Sequence, residues 1–518
     1  MLFDYRDTVP LAGMPPVSVE DLRDHIRARL AEGWRLLALF GLPEADAPRD
    51  LSGNIGLCCV LAQDSSHYLE ALRTPPLRGF PSLAAACPQA QLFEREIFEQ
   101  WGVEPLGHPW LKPVRRIPDA AQAQARTRAA GGPDAASAAG RAAPYPFYRV
   151  RGEEIHEVAV GPVHAGVIEP GHFRFQCYGE NVLHLEIALG YQHRGLEKLL
   201  LEGAARRRLP LLECAAGDTT VGHATAHCVL LERLAGRVAA PRAQRLRRIG
   251  LELERLANHV GDLGAIAGDT GFLPTSSWNG RIRGDFLNLT ASLCGNRFGR
   301  GLLRPGGVAC DLAPEQCADL LARVREAGRD ARGAVDVMLH SQSVLERLAG
   351  TGAVDAATAR ALGLVGPAAR ACGLALDARF HFPLADLPSV GCAVRVAEGG
   401  DVLARTLTRS AELDDALRLL ELDLAALAAM PGNAAAPEAE DCAPLPPDTL
   451  GVAQVEGWRG EICHLAVTDP EGGLLVYKVV DPSFRNWPGL AVALRGNQIS
   501  DFPLCNKSFN LSYCGHDL

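Results

Sequence analysis

The sequence contains no Cys-x-x-Cys pair. Its 15 cysteines, taken in order from Cys58 and Cys59 to Cys505 and Cys514, never have just two residues between them. An odd number of thiols scattered through a long chain favours reduced cysteines in the cytoplasm over a disulfide framework. No apolar stretch approaches the roughly 20 residues needed to span a bilayer. The longest candidate, residues 417–430, is broken by Arg418, Glu421 and Asp423, so membrane association is expected only through partner subunits. The opening residues Met1-Leu2-Phe3-Asp4 turn acidic early and lack a continuous apolar core, which argues against a secretory signal. A formal net charge of -9 is the wrong footprint for a duplex-binding protein, and nucleic acid is not an expected partner. There is no glycine-rich nucleotide loop and no internal repeat, so NAD-linked chemistry would need another subunit.

What the chain does have is ordinary globular material, 47% hydrophobic and 22% charged over 518 residues, enough for more than one folding unit. Residues 119–143 include twelve alanines among Gly, Gln, Arg, Asp and Ser, with no apolar stripe to bury, which marks a linker. Before it, residues 18–33 show helical spacing (Val19, Leu22, Ile26, Leu30), followed by strand-like runs at 34–40 and 56–63. After it come strand signals at 157–161, 173–178 and 182–189, then a long helical region from about 195 to 424. Within that region Leu246, Ile249, Leu253, Leu256, Val260 and Leu263 recur at spacings of three and four, as a bundled helix requires. Strands return at 461–468 and 474–480. The expected fold class is α+β: a small α/β docking domain over 1–118, an Ala-rich linker over 119–146, and a helical bundle with small peripheral sheets over 147–518.

Several motifs carry more than secondary structure. Phe93-Glu94-Arg95-Glu96-Ile97-Phe98, between Phe80-Pro81-Ser82-Leu83 and Gly107-His108-Pro109, reads alone as a helix whose alternating charges face solvent. Gly161-Pro162-Val163-His164 and Glu169-Pro170-Gly171-His172 read as tight turns that present two histidines. Arg255 and His259, four apart, can bridge one helix face. His223 and His227 also share a helix face, as in zinc metalloproteases. There, however, Ala224 stands where the catalytic glutamate would be, so packed or hydrogen-bonded histidines are the expectation.

In order and spacing these blocks, with Tyr191-Gln192-His193-Arg194-Gly195, Gly295-Asn296-Arg297-Phe298-Gly299 and Gly457-Trp458-Arg459-Gly460-Glu461, resemble a known family. The first unit is similar to the thirty-kilodalton subunit of complex I and its counterparts in hydrogenase complexes, where the Phe93–Phe98 segment serves assembly. From about Gly161 onward the chain resembles the large subunits of formate hydrogenlyase, group 4 nickel-iron hydrogenases and the forty-nine-kilodalton subunit of complex I. The resemblance implies a quinone or other acceptor contact at His164 or His172, and an arginine at position 459 that approaches the metal site.

Nickel-iron hydrogenases of this lineage hold their metals with two Cys-x-x-Cys pairs, because a soft, electron-rich centre needs thiolates. Aligned on His223, the first pair falls at Ala216 and Thr219; aligned at the end, the second falls at Ser512 and Gly515. The resemblance therefore implies no metal bound by this chain. The tyrosine that hydrogen-bonds quinone in the complex I branch falls at Gly217. A cavity lined by Asp218, His223, Arg459 and Asp517 is expected in place of both chemistries, with Asp218 or Asp517 as the counterion of Arg459. The implied setting is the cytoplasmic face of the inner membrane. There the chain is expected to be a peripheral oxidoreductase subunit beside an iron-sulfur small subunit and antiporter-like membrane subunits, coupling electron transfer to ion translocation. A hydrogenase with unorthodox ligands and a purely structural coupling subunit are the alternatives.

Overall fold

A computed structural model describes residues 1–44, 54–115, 145–166, 168–384, 387, 393–432 and 445–518. All but the last two residues of the linker expected at 119–146 lie outside the described residues. The chain opens with a four-stranded antiparallel sheet in the order Leu2–Asp4, Tyr68–Arg73, Ile55–Gln63, Arg35–Pro43. The helix Val19–Ala31 packs on it through Leu22 and Ile26. It begins where the spacing predicts, because the Ser18 hydroxyl accepts the Asp21 amide at 3.0 Å and Glu20 and Asp21 complement the helix dipole.

The first unit does not close on itself. Val9–Pro10 leaves its own sheet and pairs with Thr449 and Leu450, forming the edge of a second antiparallel sheet in the order Leu474–Val480, Gly460–Thr468, Thr449–Gly457, Val9–Pro10. The three long strands of this sheet are buried along their whole length. Covered on one side by the helix Thr220–Leu234 and on the other by the N-terminal unit, they read as near-continuous apolar runs rather than an alternation. Leu36, Phe40 and Val60 from the start of the chain share one apolar core with Val452, Leu465 and Val480 from its end.

The bundle is built from Pro241–Asp269, Leu273–Cys294, Pro314–Leu339 and Val402–Ala429. The periodic set Leu246, Ile249, Leu253, Leu256, Val260 and Leu263 is buried in it throughout. Arg255 and His259 do not bridge each other. Arg255 donates to the carbonyls of Glu456 and Gly457, and His259 meets Glu412 at 3.0 Å, because that helix face looks inward rather than to solvent. A three-stranded sheet of Ile155–Val160, His172–Tyr178 and Asn181–Ala188 lies at the periphery. Among the described residues no helix is long and apolar enough to cross a membrane.

The charges of the helix Gln91–Trp101 are not a solvated face: Glu94, Arg95, Glu96 and Glu99 are all buried. Each meets a partner that water would otherwise supply. Glu94 accepts Ser82 Oγ and the Leu83 amide, both at 2.5 Å, and Arg95 donates to the carbonyls of Lys112 and Pro113. Glu96 reaches across to the second sheet, where it accepts Lys478 Nζ at 2.6 and 2.7 Å, and it also pairs with Arg115. Arg115 in turn donates to the carbonyl of His516, near the C-terminus. Removing one partner of a buried pair leaves uncompensated charge and costs about 3–5 kcal/mol. Glu96→Ala is therefore expected to lower the unfolding free energy read from urea denaturation by an amount of that order. Glu104→Ala, at an exposed residue, should stay within about 0.5 kcal/mol.

Candidate functional site

Arg459 sits at the turn of the hairpin formed by Thr449–Gly457 and Gly460–Thr468. The turn is pressed against the start of the helix Gly366–Arg370. A Cβ on Gly366 (φ +66°) would lie 2.1 Å from the Arg459 carbonyl, and one on Gly460 (φ +132°) 2.7 Å from the Gly366 amide nitrogen. Only glycine fits either position. Held this way, the Arg459 guanidinium lies over the Trp458 ring, 3.9 Å from its centroid, and clasps both carboxylate oxygens of Asp218 at 2.5 and 2.8 Å. Its Nε donates to the Asn510 carbonyl at 2.5 Å. Two further donors fix the Asp218 backbone: Trp458 Nε1 and Asn258 Nδ2 reach its carbonyl at 3.0 and 2.9 Å. Burial alone would raise the Asp218 carboxyl, but the Arg459 charge and hydrogen bonds carry it below its usual range.

His223 is fully buried on the helix Thr220–Leu234. Its Nε2 meets Asp481 at 3.0 Å and its Nδ1 meets His464 Nε2 at 3.1 Å. His227 does not join it in a metal pair; it meets the Tyr477 hydroxyl at 2.9 Å. Asp481 caps the helix Pro482–Ala493 by accepting the Ser483 amide at 2.6 Å. Burial opposes ionisation of Asp481, but its bond to His223 and the nearby Arg459 outweigh it and lower its pKa. Asp517 is turned elsewhere: its carboxylate takes the amides of Gly190 and Gln192 at 2.8 and 2.9 Å and meets His516 Nδ1. Thus Asp218 and Arg459 are in direct contact, His223 adjoins them through Asp481, and Asp517 braces a neighbouring loop.

The four positions that the resemblance assigns to metal ligands are filled with other contacts. Ala216 presents a buried methyl. The Thr219 hydroxyl is engaged by Asp218, Trp458 Nε1 and Arg459. Ser512 Oγ accepts the Gly515 amide at 2.9 Å. At Gly515 a Cβ would lie 2.7 Å from the Asp481 carboxyl carbon, so a cysteine could not enter without displacing that carboxylate. Neutral hydroxyls and a methyl are no substitute for thiolates, and these residues do not fit a nickel-iron centre. Among the described residues no group of three or more His, Cys, Asp or Glu side chains is arranged to hold a metal ion.

A quinone set of the complex I kind is not reproduced either. A Cβ at Gly217 would meet nothing within 4 Å, leaving open space and no hydroxyl. His164 is bound to the Gly171 carbonyl at 2.8 Å, and His172 accepts Arg174 Nε at 3.2 Å and meets the Gly161 carbonyl at 3.3 Å, so both are tied into their own turn. That turn touches the site's edge, since Glu169 accepts the Tyr513 amide at 3.2 Å. Beside Asp218 a small cavity of about 10 Å³, lined also by Glu254, Asn258 and Arg297, offers room for about one water.

Glu254, Asp481, His464 and Tyr477 are among the buried polar residues that sequence reasoning missed. Asp481-Pro482 did carry a signal, an N-cap followed by proline at the first helical position. His464 and Tyr477 lie within apolar strand runs and gave none.

The description "Respiratory-chain NADH dehydrogenase, 49 Kd subunit" matches residues 269–448, and "Respiratory-chain NADH dehydrogenase, 30 Kd subunit" matches residues 21–122. Formate hydrogenlyase subunit 5 of Escherichia coli K12 is 30% identical over 502 residues, covering 93% of this chain and 84% of that protein. Hydrogenase-4 component G of the same organism is 29% identical over 504 residues, covering 93% and 83%. In fold, a chain of the membrane-bound sulfane sulfur reductase, an archaeal respiratory membrane complex, superposes with a TM-score of 0.64 at 24% identity, over 72% of this chain and all of that one. The chain belongs to the family of oxidoreductase subunits that unites the large subunits of formate hydrogenlyase-type hydrogenases with the 49 Kd subunit of complex I, here joined to a 30 Kd-type unit.

Glu254 offers a pH test of the site. Burial, aided by the nearby Asp218, pushes its carboxyl from 4.5 up to about 8, against the hydrogen bonds it accepts from the Val221 and Gly222 amides. An acid raised by folding binds more protons folded than unfolded between those two values, so its contribution to stability falls as pH rises through that window. The fall is on the order of 3–5 kcal/mol. Glu254→Gln is expected to flatten the loss of stability between about pH 5 and 8, as read from urea midpoints at the two ends of that range. An unchanged slope would refute the assignment.

Proposed function

We propose that this chain is the large subunit of a membrane-associated oxidoreductase complex that couples electron transfer from a neighbouring iron-sulfur subunit to ion translocation by antiporter-like membrane subunits, and that it does so without hydrogenase activity. The chain sits peripherally, at the cytoplasmic face of the inner membrane, and binds no metal of its own. The observation that carries this reading is the replacement of soft donors by matched charge: Asp218 faces Arg459, and Asp481 occupies the space a cysteine at Gly515 would need. A nickel-iron cluster is anionic and thiolate-bound, so an arginine that approaches it needs another anion once the thiolates are gone. The Asp218 carboxylate, bound bidentately, is that anion.

In this reading an electron acceptor of the quinone class meets the chain at the exposed face beside Gly217, near the turn that carries His164 and His172. The complex purified through a tag on this chain is expected to contain a reducible iron-sulfur cluster in a second subunit, less than stoichiometric nickel, and no hydrogen uptake or evolution. Nickel at one per complex together with hydrogen turnover would sink the proposal. Arg459→Ala leaves Asp218 unpaired and is expected to lower acceptor reduction by about 100-fold while the cluster remains present; full activity in that variant would show that the pair takes no part in the chemistry.

A further inference from the structure

Beyond the Asp218–Arg459 pair, a single file of hydrogen bonds runs through the core. Starting from Asp481, it passes to His223 at 3.0 Å, His464 at 3.1 Å, the Tyr477 hydroxyl at 2.9 Å and His227 at 2.9 Å. The chain draws on two sheet strands, the helix Thr220–Leu234 and the cap of Pro482–Ala493, and all five residues are 2% exposed or less. Its near end abuts the site, where the Arg459 and Asp218 charges both act on Asp481. At its far end His227 lies within the field of Arg208, a partly buried residue that opens the short helix Arg208–Leu212. Packing alone does not call for three imidazoles and a phenol in series in a core, where each polar group carries a burial cost.

One assignment of donors and acceptors runs through the whole file. An ionised Asp481 can only accept, so His223 Nε2 carries the donated proton. In the His223 tautomer with its one proton on Nε2, the Nδ1 lone pair takes the proton on His464 Nε2. His464 Nδ1 accordingly accepts from Tyr477, whose oxygen accepts from His227 Nδ1. Burial keeps His464 well below its ordinary pKa and takes His227 down to about 3, with Arg208 adding to the latter, so both imidazoles stay neutral. The polarity is uniform from His227 to Asp481, with no break at which two donors or two acceptors face each other.

We propose that Asp481, His223, His464, Tyr477 and His227 form a proton relay that delivers protons from the Arg208 side of the subunit to the Asp218–Arg459 site. When His227 Nε2 takes up a proton, each bond passes one along: His227 Nδ1–H to Tyr477 oxygen, the Tyr477 proton to His464 Nδ1, His464 Nε2–H to His223 Nδ1, and His223 Nε2–H to Asp481 Oδ2. One proton enters, Asp481 becomes a carboxylic acid, every imidazole changes tautomer, and no imidazolium or phenolate has to persist. The relay rests on the reading of this chain as an electron-coupled subunit: an electron arriving beside the site from the iron-sulfur partner supplies the negative charge that draws the proton onto Asp481.

The test is infrared difference spectroscopy of the tag-purified complex on electrochemical reduction, in H2O and D2O. The wild type is expected to show a new carboxyl band that shifts in D2O and is missing in Asp481→Asn. In Tyr477→Phe, which keeps the ring and removes the one oxygen joining two histidines, the band is expected to form about 100-fold more slowly or not at all, with the cluster reduced at unchanged potential. If that variant does not assemble, His227→Gln interrupts the same file at its entrance and is read in the same way. A carboxyl band forming at the wild-type rate in either assembled variant overturns the relay. So does a wild-type complex whose cluster reduces with no carboxyl band, which leaves the functional reading standing. A complex with no reducible cluster overturns the functional reading and the relay with it.

Discussion

A buried carboxylate stays ionised only if its charge is answered, and the centre of this molecule is organised by that requirement. Asp481 lies against Gly515, at the place where a side chain would otherwise project, and it stays ionised in a buried position because His223, the Ser483 amide and the Arg459 charge surround it. Asp218 answers Arg459 directly. Two carboxylates, one guanidinium and one imidazole thus meet at one site. Hard, localised charges demand directional partners, so the surrounding hydroxyls and amides are all committed: Thr219 to the Asp218–Arg459 pair, Ser512 to Gly515, Ser483 to Ser512.

The same principle welds the two halves of the chain. A docking helix with exposed charges would make a loose, salt-sensitive contact. Here Glu96 is buried between Lys478 and Arg115, Lys478 also meets Glu197 at 2.9 Å, and Arg115 holds the His516 carbonyl. Buried pairs of this kind add little net stability over apolar packing, but they penalise any arrangement in which a partner is missing. The N-terminal unit is therefore held in one register against the sheet that carries the hairpin of Arg459, and Val9–Pro10 completes that sheet's edge.

Much of this was legible in the sequence. The bundle helix could be read from the spacing of Leu246 through Leu263, and the first helix from Ser18 and its following acids, because amphipathic periodicity and capping are local properties. The absence of Cys-x-x-Cys pairs was plain, and the contact of Arg459 with Asp218 was one of the two counterion pairings the motifs offered. What could not be read were partners fixed by tertiary structure. The charges of the Phe93–Phe98 segment follow the pattern of a solvated face, and only the approach of a strand some 380 residues later makes them buried. Asp517 has the same chemistry as Asp218, yet the Gly190 and Gln192 amides claim it. His464 and Tyr477 sit in continuous apolar strands, where alternation gives no hint of which face meets a helix carrying histidines.

The position of Arg459 ties the site to the bundle as well as to the sheet. Its turn rests on Gly366 with no room for a side chain on either glycine, and four residues on, Arg370 is buried between Glu412 of the bundle and Glu456 of the hairpin strand, both at 2.7 Å. Glu412 continues to His259 on the neighbouring bundle helix. A change in charge at Asp218 that loosened or tightened its grip on Arg459 would act on a backbone turn with no slack, flanked by the buried ionic network of Arg370, Glu412, Glu456 and His259. Close-packed interiors respond to such a push by shifting elements together rather than by local give. An arginine anchored in this way joins the site to the frame.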